Sequence, residues 1–285
     1  MLKLISLSFL FLWPLWGQIS DASVKKNITM CHPLMPTSMA DFVNDPEFVN
    51  IHPAPTAFDF NGLGQEITMP AAGGKDVGAY FIKAKRESNQ WLFVYQEWWG
   101  LNDNIRNQAD KYFKDLGTHV NVLALDMYDG QVTANPSEAG KLMQGADQKR
   151  LETIMKAGLS YAGIDAKIAS VGWCFGGGLS LKSALIGGQQ NIGSVMYYGM
   201  PVNDVEQLKT LSSDVLGLFA TEKWINQEII ETFAANMKKA GKKLTYKIFE
   251  ATHGFANPSN AKHDPEATKV AYKMSLDYLK AKFDV

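Results

Sequence analysis

The sequence predicts an α/β fold in which a mostly parallel, twisted sheet carries helices on both faces. Three observations predict it. From Val77 onward, short β-rich runs alternate with longer helical patterns, the rhythm of parallel strands joined by helical crossovers. Most of those runs are continuously apolar, as strands covered on both sides must be. The 285 residues are 46% hydrophobic and 20% charged, enough apolar material for one large core.

Strands are expected at 78–82, 91–96, 121–125, 168–172, 194–198, 215–219 and 244–249. Between the second and third, Ile105, Ala109, Tyr112, Phe113 and Leu116 recur at helical spacing, and Gly117 follows as a C-cap. Further helices are expected at 138–161, 175–186, 227–240 and 265–282. Their Met and aromatic residues sit where a core face requires them. No internal repeat interrupts this order.

Ahead of the alternation, Lys3, an apolar run over 4–16 and then Gly17, Gln18 and Ser20 have the charged, hydrophobic and cleavage regions of a secretory signal. The run falls short of the roughly 20 residues that span a bilayer, and Pro14 interrupts it. The expected organisation is a signal peptide over 1–20, an N-terminal extension over 21–74 that wraps the domain, and an α/β domain over 75–285. The location expected is periplasmic or secreted, with no membrane attachment once the signal is removed. No cysteine near the cleavage region offers a lipid site. A formal charge of −1 and a pI near 6.5 give none of the basic surface that nucleic acid needs. A small-molecule substrate and a monomer or small oligomer are expected instead.

Two cysteines, Cys31 and Cys174, in an oxidising compartment raise the question of a disulfide. The setting of Cys174 argues for a free thiol. The run Gly172, Trp173, Cys174, Phe175, Gly176, Gly177, Gly178 joins an expected strand to an expected helix and has the form Gly-x-nucleophile-x-Gly, with cysteine where serine is usual. The tight turn presents a short side chain at the carboxyl end of the sheet, and glycines two residues away on either side relieve the crowding. The helix then aims its positive end at the sulfur and favours thiolate. A phosphate loop is excluded, because neither Lys with Ser or Thr nor GxGxxG follows. No CxxC pair or Cys/His cluster at metal spacing appears, so neither metal nor cofactor is expected.

A thiol hydrolase needs a base and an acid to orient it, and on the α/β-hydrolase fold these follow the nucleophile in the order acid, histidine. His253 lies just after the last expected strand and fits; His263 sits in a polar stretch before a helix and fits less well. His32, His52 and His119 precede the nucleophile and fall outside the order. Glu222 is the first carboxylate after the strand at 215–219, with Asp126 its competitor, better suited to the turn toward Tyr128. The oxyanion donors expected are the backbone N–H groups of Phe175 and Trp98. Trp98, Trp99, Trp173 and Phe255 are the candidate substrate contacts.

With Gln96-Glu97-Trp98-Trp99-Gly100, Asp126-Met127-Tyr128, the Gly-Trp-Cys-Phe-Gly-Gly elbow and His253-Gly254-Phe255 in order, the chain from Val77 on resembles the dienelactone hydrolases. The resemblance implies a Cys-His-acid triad that hydrolyses an ester or lactone, and a glutamate at Glu97 that holds the thiol at rest and helps pass its proton. Two departures stand out. The family's triad acid is usually Asp, whereas Glu222-Lys223-Trp224-Ile225 follows a loop that looks one residue shorter. The family's arginine after His-x-Phe is replaced by Ala256 and Asn257, and the region 133–141 has no basic residue before Lys141. Losing such an anchor favours neutral esters or lactones, unless Arg106 or Arg150 supplies it. A broader carboxylesterase acting on sugar or plant esters is the alternative enzyme, and a weakly catalytic ligand-binding protein the alternative outside enzymes.

Overall fold

The computed structural model describes residues 38–285; the signal region, Cys31 and His32 lie outside the described residues. An eight-stranded sheet has the order β1-β2-β4-β3-β5-β6-β7-β8. Its strands are β1 (Gln65–Met69), β2 (Val77–Ile82), β3 (Gln90–Tyr95), β4 (Asn121–Leu125), β5 (Lys167–Trp173), β6 (Asn191–Tyr197), β7 (Val215–Ala220) and β8 (Leu244–Phe249). β1 and β2 pair antiparallel, as do β2 and β4, and every other pair is parallel. All seven strands expected from the apolar runs are present to within three residues at either end.

The helices are α1 (Pro46–Asn50), α2 (Asp103–Asp115), α3 (Pro136–Gly145), α4 (Gln148–Ala162), α5 (Phe175–Gly187), α6 (Val205–Lys209), α7 (Gln227–Lys239) and α8 (Pro265–Phe283). Strand parity sorts α5 from α2 and α8. On β5, Ser170 bonds to the Ser180 carbonyl of α5, whereas Trp173 turns its ring to Tyr112 of α2. On β6, Ser194 bonds to Ser180 of α5, while Gly193 lies under Tyr278 of α8. Successive residues on a strand face opposite sides, so α5 covers one face and α2 with α8 the other.

Two differences from the expected elements have local causes. The helix expected at 138–161 is two helices, because Ala146 is extended (φ −65°, ψ 111°) and Asp147 starts a new helix by accepting from the Arg150 N–H at 2.7 Å. The cap residue Asp147, opening the polar run Asp147-Gln148-Lys149-Arg150, marks this break. Ahead of Val77, where no period is sustained, Asp45 caps α1 through the Glu47 N–H, and β1 adds an antiparallel edge to β2.

Glycine is required at the junction of β5 and α5 by backbone contact. A Cβ on Gly172 would stand 2.0 Å from the Gly176 carbonyl oxygen, and one on Gly176 would stand 2.4 Å from the carbonyl oxygens of both Tyr95 and Gln96. None of these atoms is the end of a flexible side chain, so the strain cannot be relieved locally. Gly176→Ala is therefore expected to destabilise the protein by at least about 2 kcal/mol. Denaturant melts check this; a midpoint within error of the wild type would refute the close β3–α5 contact.

Candidate active site

The chemistry-bearing side chains gather where parallel strands end. Cys174 follows β5, Glu222 follows β7, His253 follows β8 and Glu97 follows β3. Carboxyl ends of adjacent parallel strands are where this architecture opens its crevice.

Cys174 is the residue before α5 and has φ 55° and ψ −119°, a conformation that L side chains rarely adopt. The elbow expected from Gly-x-Cys-x-Gly is thus present in the backbone. Its N–H donates to the Tyr197 carbonyl at 3.0 Å, and its own carbonyl accepts from Gly177 at 2.9 Å. Phe175 opens the helix, where backbone N–H groups have no partner within the helix. The thiol is free and 1% exposed.

His253 meets both oxygens of Glu222 through Nδ1, at 2.9 Å each. Both side chains are buried. Burial alone would lower the His253 pKa, but Glu222 and then Cys174 outweigh it and hold the imidazole well above its ordinary value. Asp126 instead accepts from the N–H groups of Tyr128, at 3.0 Å, and Gly130, which makes it a turn residue. His263 is partly exposed on the 250–264 loop.

Glu97 is buried and accepts from Asn257 Nδ2 at 2.6 Å. Desolvation pushes its pKa up to about 7, against the opposing pull of His253 and Asn257. Trp98 and Trp99 meet edge to face at 5.0 Å, and Phe255 packs on Tyr198. The Trp173 ring is not brought to this cluster: it stacks on Tyr197 at 5.4 Å and faces Tyr112.

Sequence order set aside one residue that the structure puts at the centre. His52, two residues past α1, lies with Nε2 3.8 Å from Cys174 Sγ. Its Nδ1 lies 2.7 Å from the Phe48 carbonyl, which can only accept, so Nδ1 carries the proton and Nε2 offers its lone pair to the thiol. Its ring packs against Trp98 and Phe48 at 4.5 Å and His253 at 4.8 Å. Burial, and then the charge of His253, keep its pKa well below the ordinary value, so it is neutral. Tyr198 is a second residue that sequence reasoning missed. Its ring lies 4.8 Å from His253 on a backbone of φ 36°, and its buried hydroxyl has no hydrogen-bond partner among the described residues, as is also true of Tyr128.

The segment that carries His52 is tied down from outside. Asp45 accepts from Trp224 Nε1 at 3.0 Å and pairs with Lys223 at 3.0 Å, and Lys223 also pairs with Glu47. Phe48 is fully buried against Trp98 and Trp224. The catalytic candidates are consequently closed from solvent. A surface cavity of about 1000 Å³ lies elsewhere, at the amino ends of the strands beside Ser88, Asn89 and His119.

The hydrogen bond from Trp224, and then that from Lys223, hold Asp45 at a pKa of about 2, below its ordinary 3.8. A carboxylate with a depressed folded pKa contributes its anchoring above the unfolded value and loses it as pH falls through the folded one, here between about 4 and about 2. At neutral pH, Asp45→Asn should speed both hydrogen exchange across Pro46–Asn50 and alkylation of Cys174 by iodoacetamide. Unchanged rates at both places would show that the anchor does not close the site.

The profile of the Dienelactone hydrolase family matches residues 77–283. Among curated proteins, one from Aquifex aeolicus named as a candidate carboxymethylenebutenolidase is 24% identical over 229 residues, covering 76% of this chain and 98% of that protein. Protein usf of Aquifex pyrophilus is 25% identical over 232 residues, with 76% and 98% covered. Among solved structures, a dienelactone hydrolase-like promiscuous phosphotriesterase from metagenomic libraries superposes with a TM-score of 0.67 at 20% identity, covering 77% of this chain and 98% of that one. A dienelactone hydrolase from Anabaena variabilis gives 0.54 at 14% identity, with 77% and 98% covered. At these identities the structures show a shared fold.

Proposed function

The chain belongs to the dienelactone hydrolase family, and we propose that it hydrolyses neutral esters or lactones by acyl transfer to Cys174. The observation that carries this reading is the conjunction at the strand ends of a thiol on a strained elbow with a histidine held by both oxygens of a buried carboxylate. The Cys174 thiolate attacks the acyl carbonyl, and the oxyanion forms against the N–H groups of Phe175 and Trp98. His253 Nε2 then gives its proton to the departing alkoxide, leaving a thioester and a free alcohol. Water attacks the thioester, Nε2 takes its proton, and the thiolate leaves as the acid is released. Glu222 keeps Nδ1–H in place throughout and stabilises the imidazolium. Glu97, with a pKa of about 7, can hold or release a proton near neutrality, which suits the relay that the family resemblance implies for it.

The preference for neutral substrates rests on charge. The chain has three arginines, and each is engaged elsewhere. Arg150 pairs with Asp129 at 2.6 Å and donates to the carbonyls of Lys75 and Asp76; Arg106 pairs with Glu66 at 2.7 Å; Arg86 lies on His119. At the position after His-x-Phe, Ala256 is apolar and Asn257 is committed to Glu97. A substrate carboxylate would lose charge-assisted contacts, a cost of about 10²-fold in affinity. The aromatic surroundings, Trp98, Trp99 and Phe255, suit an apolar or sugar-like acyl or alcohol group.

Cys174→Ala is expected to abolish turnover with the fold intact by circular dichroism, and retained hydrolysis would remove the thiol from the mechanism. Glu222→Gln should lower kcat by at least roughly 10-fold, because the imidazole loses its orientation and its charge partner. For a matched ester pair differing in one free carboxylate, kcat/KM should favour the neutral member. Preference for the anion would mean that an anchor exists outside the three arginines.

A further inference from the structure

We propose that the His52-bearing segment completes a zinc(II) site, in which His52 Nε2, Cys174 Sγ and His253 Nε2 bind one ion and thereby switch the nucleophile off. The three atoms all lie within 4.8 Å of one another, and all three residues are buried. One thiolate and two imidazoles form the mixed sulfur and nitrogen set that suits tetrahedral zinc, with the fourth position left to water.

The atoms behind the ligands argue most strongly for this. A metal-bound histidine presents one ring nitrogen to the ion and donates the other N–H to a carbonyl or carboxylate, which fixes its tautomer and orientation. Both histidines here are arranged in that way. His52 donates Nδ1–H to the Phe48 carbonyl at 2.7 Å, and His253 Nδ1 meets the Glu222 carboxylate at 2.9 Å. His253 Nε2 is fully buried and has no hydrogen-bond partner among the described residues, although it faces the same small space. Zinc bonds of about 2.3 Å to sulfur and about 2.0 Å to nitrogen put tetrahedral ligand atoms roughly 3.5 Å apart. The separation of 3.8 Å between Sγ and His52 Nε2 is already close to this, and the other pairs, all within 4.8 Å, need to contract by at most about 1.3 Å. Coordination by a thiolate and two neutral imidazoles releases to solvent the proton that the Cys174 and His253 pair shares at rest, the one on His253 Nε2, and involves no electron transfer. His52 lies outside the part of the chain that the family profile matches, so the site depends on the N-terminal segment rather than on the hydrolase domain alone.

The inhibitory part rests on the proposed hydrolysis, and the metal site itself does not. Cobalt(II) titrated into the full chain should saturate at one equivalent, with a thiolate-to-cobalt charge-transfer band that Cys174→Ser lacks although Cys31 remains. His52→Ala should weaken zinc, measured by competition with a chromophoric chelator, by about 100-fold or more, since losing even a group behind a ligand costs 10- to 100-fold. His52→Gln serves if the alanine variant fails circular dichroism. X-ray absorption on zinc-loaded wild type needs no variant, and should show one sulfur and two imidazoles around the ion. A single imidazole, equal zinc affinity without His52, or a band that survives Cys174→Ser would each overturn the site. Stoichiometric zinc should stop hydrolysis of a chromogenic ester and a chelator should restore it; full activity with zinc bound would overturn the switch. If no ester is hydrolysed in the first place, the proposed function fails while the spectroscopic result still decides the metal site.

Discussion

The site depends on one backbone geometry, the positive φ of Cys174 at the join of β5 and α5. An L residue holds that conformation only where the surroundings over-determine it, and here they do so through main chain. Gly172 and Gly176 let the first turn of α5 lie against the ends of β5 and β3, with no room for a single Cβ. That contact fixes the helix start relative to the neighbouring strand end, and so fixes Phe175 relative to Trp98. The proposed nucleophile and its two expected oxyanion donors are therefore a single unit, set by three chain segments meeting at backbone distance. The strain at one residue is the cost of bringing them together.

The proposed acid is accommodated on the same principle. A Glu in place of an Asp adds a methylene, and the loop after β7 looks shorter by one residue. The structure brings both Glu222 oxygens to 2.9 Å from His253 Nδ1, so the longer side chain spans what the loop does not. The neighbouring Lys223 and Trp224 are then free for another purpose, the docking of Asp45 and Glu47. One short loop thus orients His253 with Glu222 and holds the His52 segment with Lys223 and Trp224.

This division explains what was legible in the sequence. Strand interiors were legible, since continuous apolar runs flanked by turn residues leave little choice of conformation, and Cys174 with its glycines was legible because steric necessity is written into adjacent positions. His253 and Glu222 could be found because each lies within four residues of a strand end, in an order that the fold imposes. His52 could not. The rule of order concerns residues within the domain, whereas His52 arrives from an extension whose short helix has no period to read. Its arrival is determined by Phe48 and Asp45 meeting Trp98 and Trp224 far along the chain. Tyr198 was hidden for a different reason: it sits one residue beyond an apolar strand, and nothing in its neighbours signals a φ of 36°. The split of 138–161 into two helices rests on two extended residues, Ala146 and Asp147.

Three ionisable groups in this cluster share nearly complete burial yet hold different charge states, and the difference lies in their partners. Burial disfavours charge on all of them. His253 is driven to the cation by a carboxylate at its Nδ1 and the thiol nearby. His52, whose Nδ1 meets only a neutral carbonyl and which faces His253, is driven the other way. Glu97, bonded to a neutral amide and within reach of the His253 charge, comes to rest near neutrality. Cys174 Sγ therefore has a cationic imidazole and a neutral one beside it. The segment carrying His52, which adds no strand to the sheet but places Phe48 in its core, is thus the element best placed to set the reactivity of Cys174.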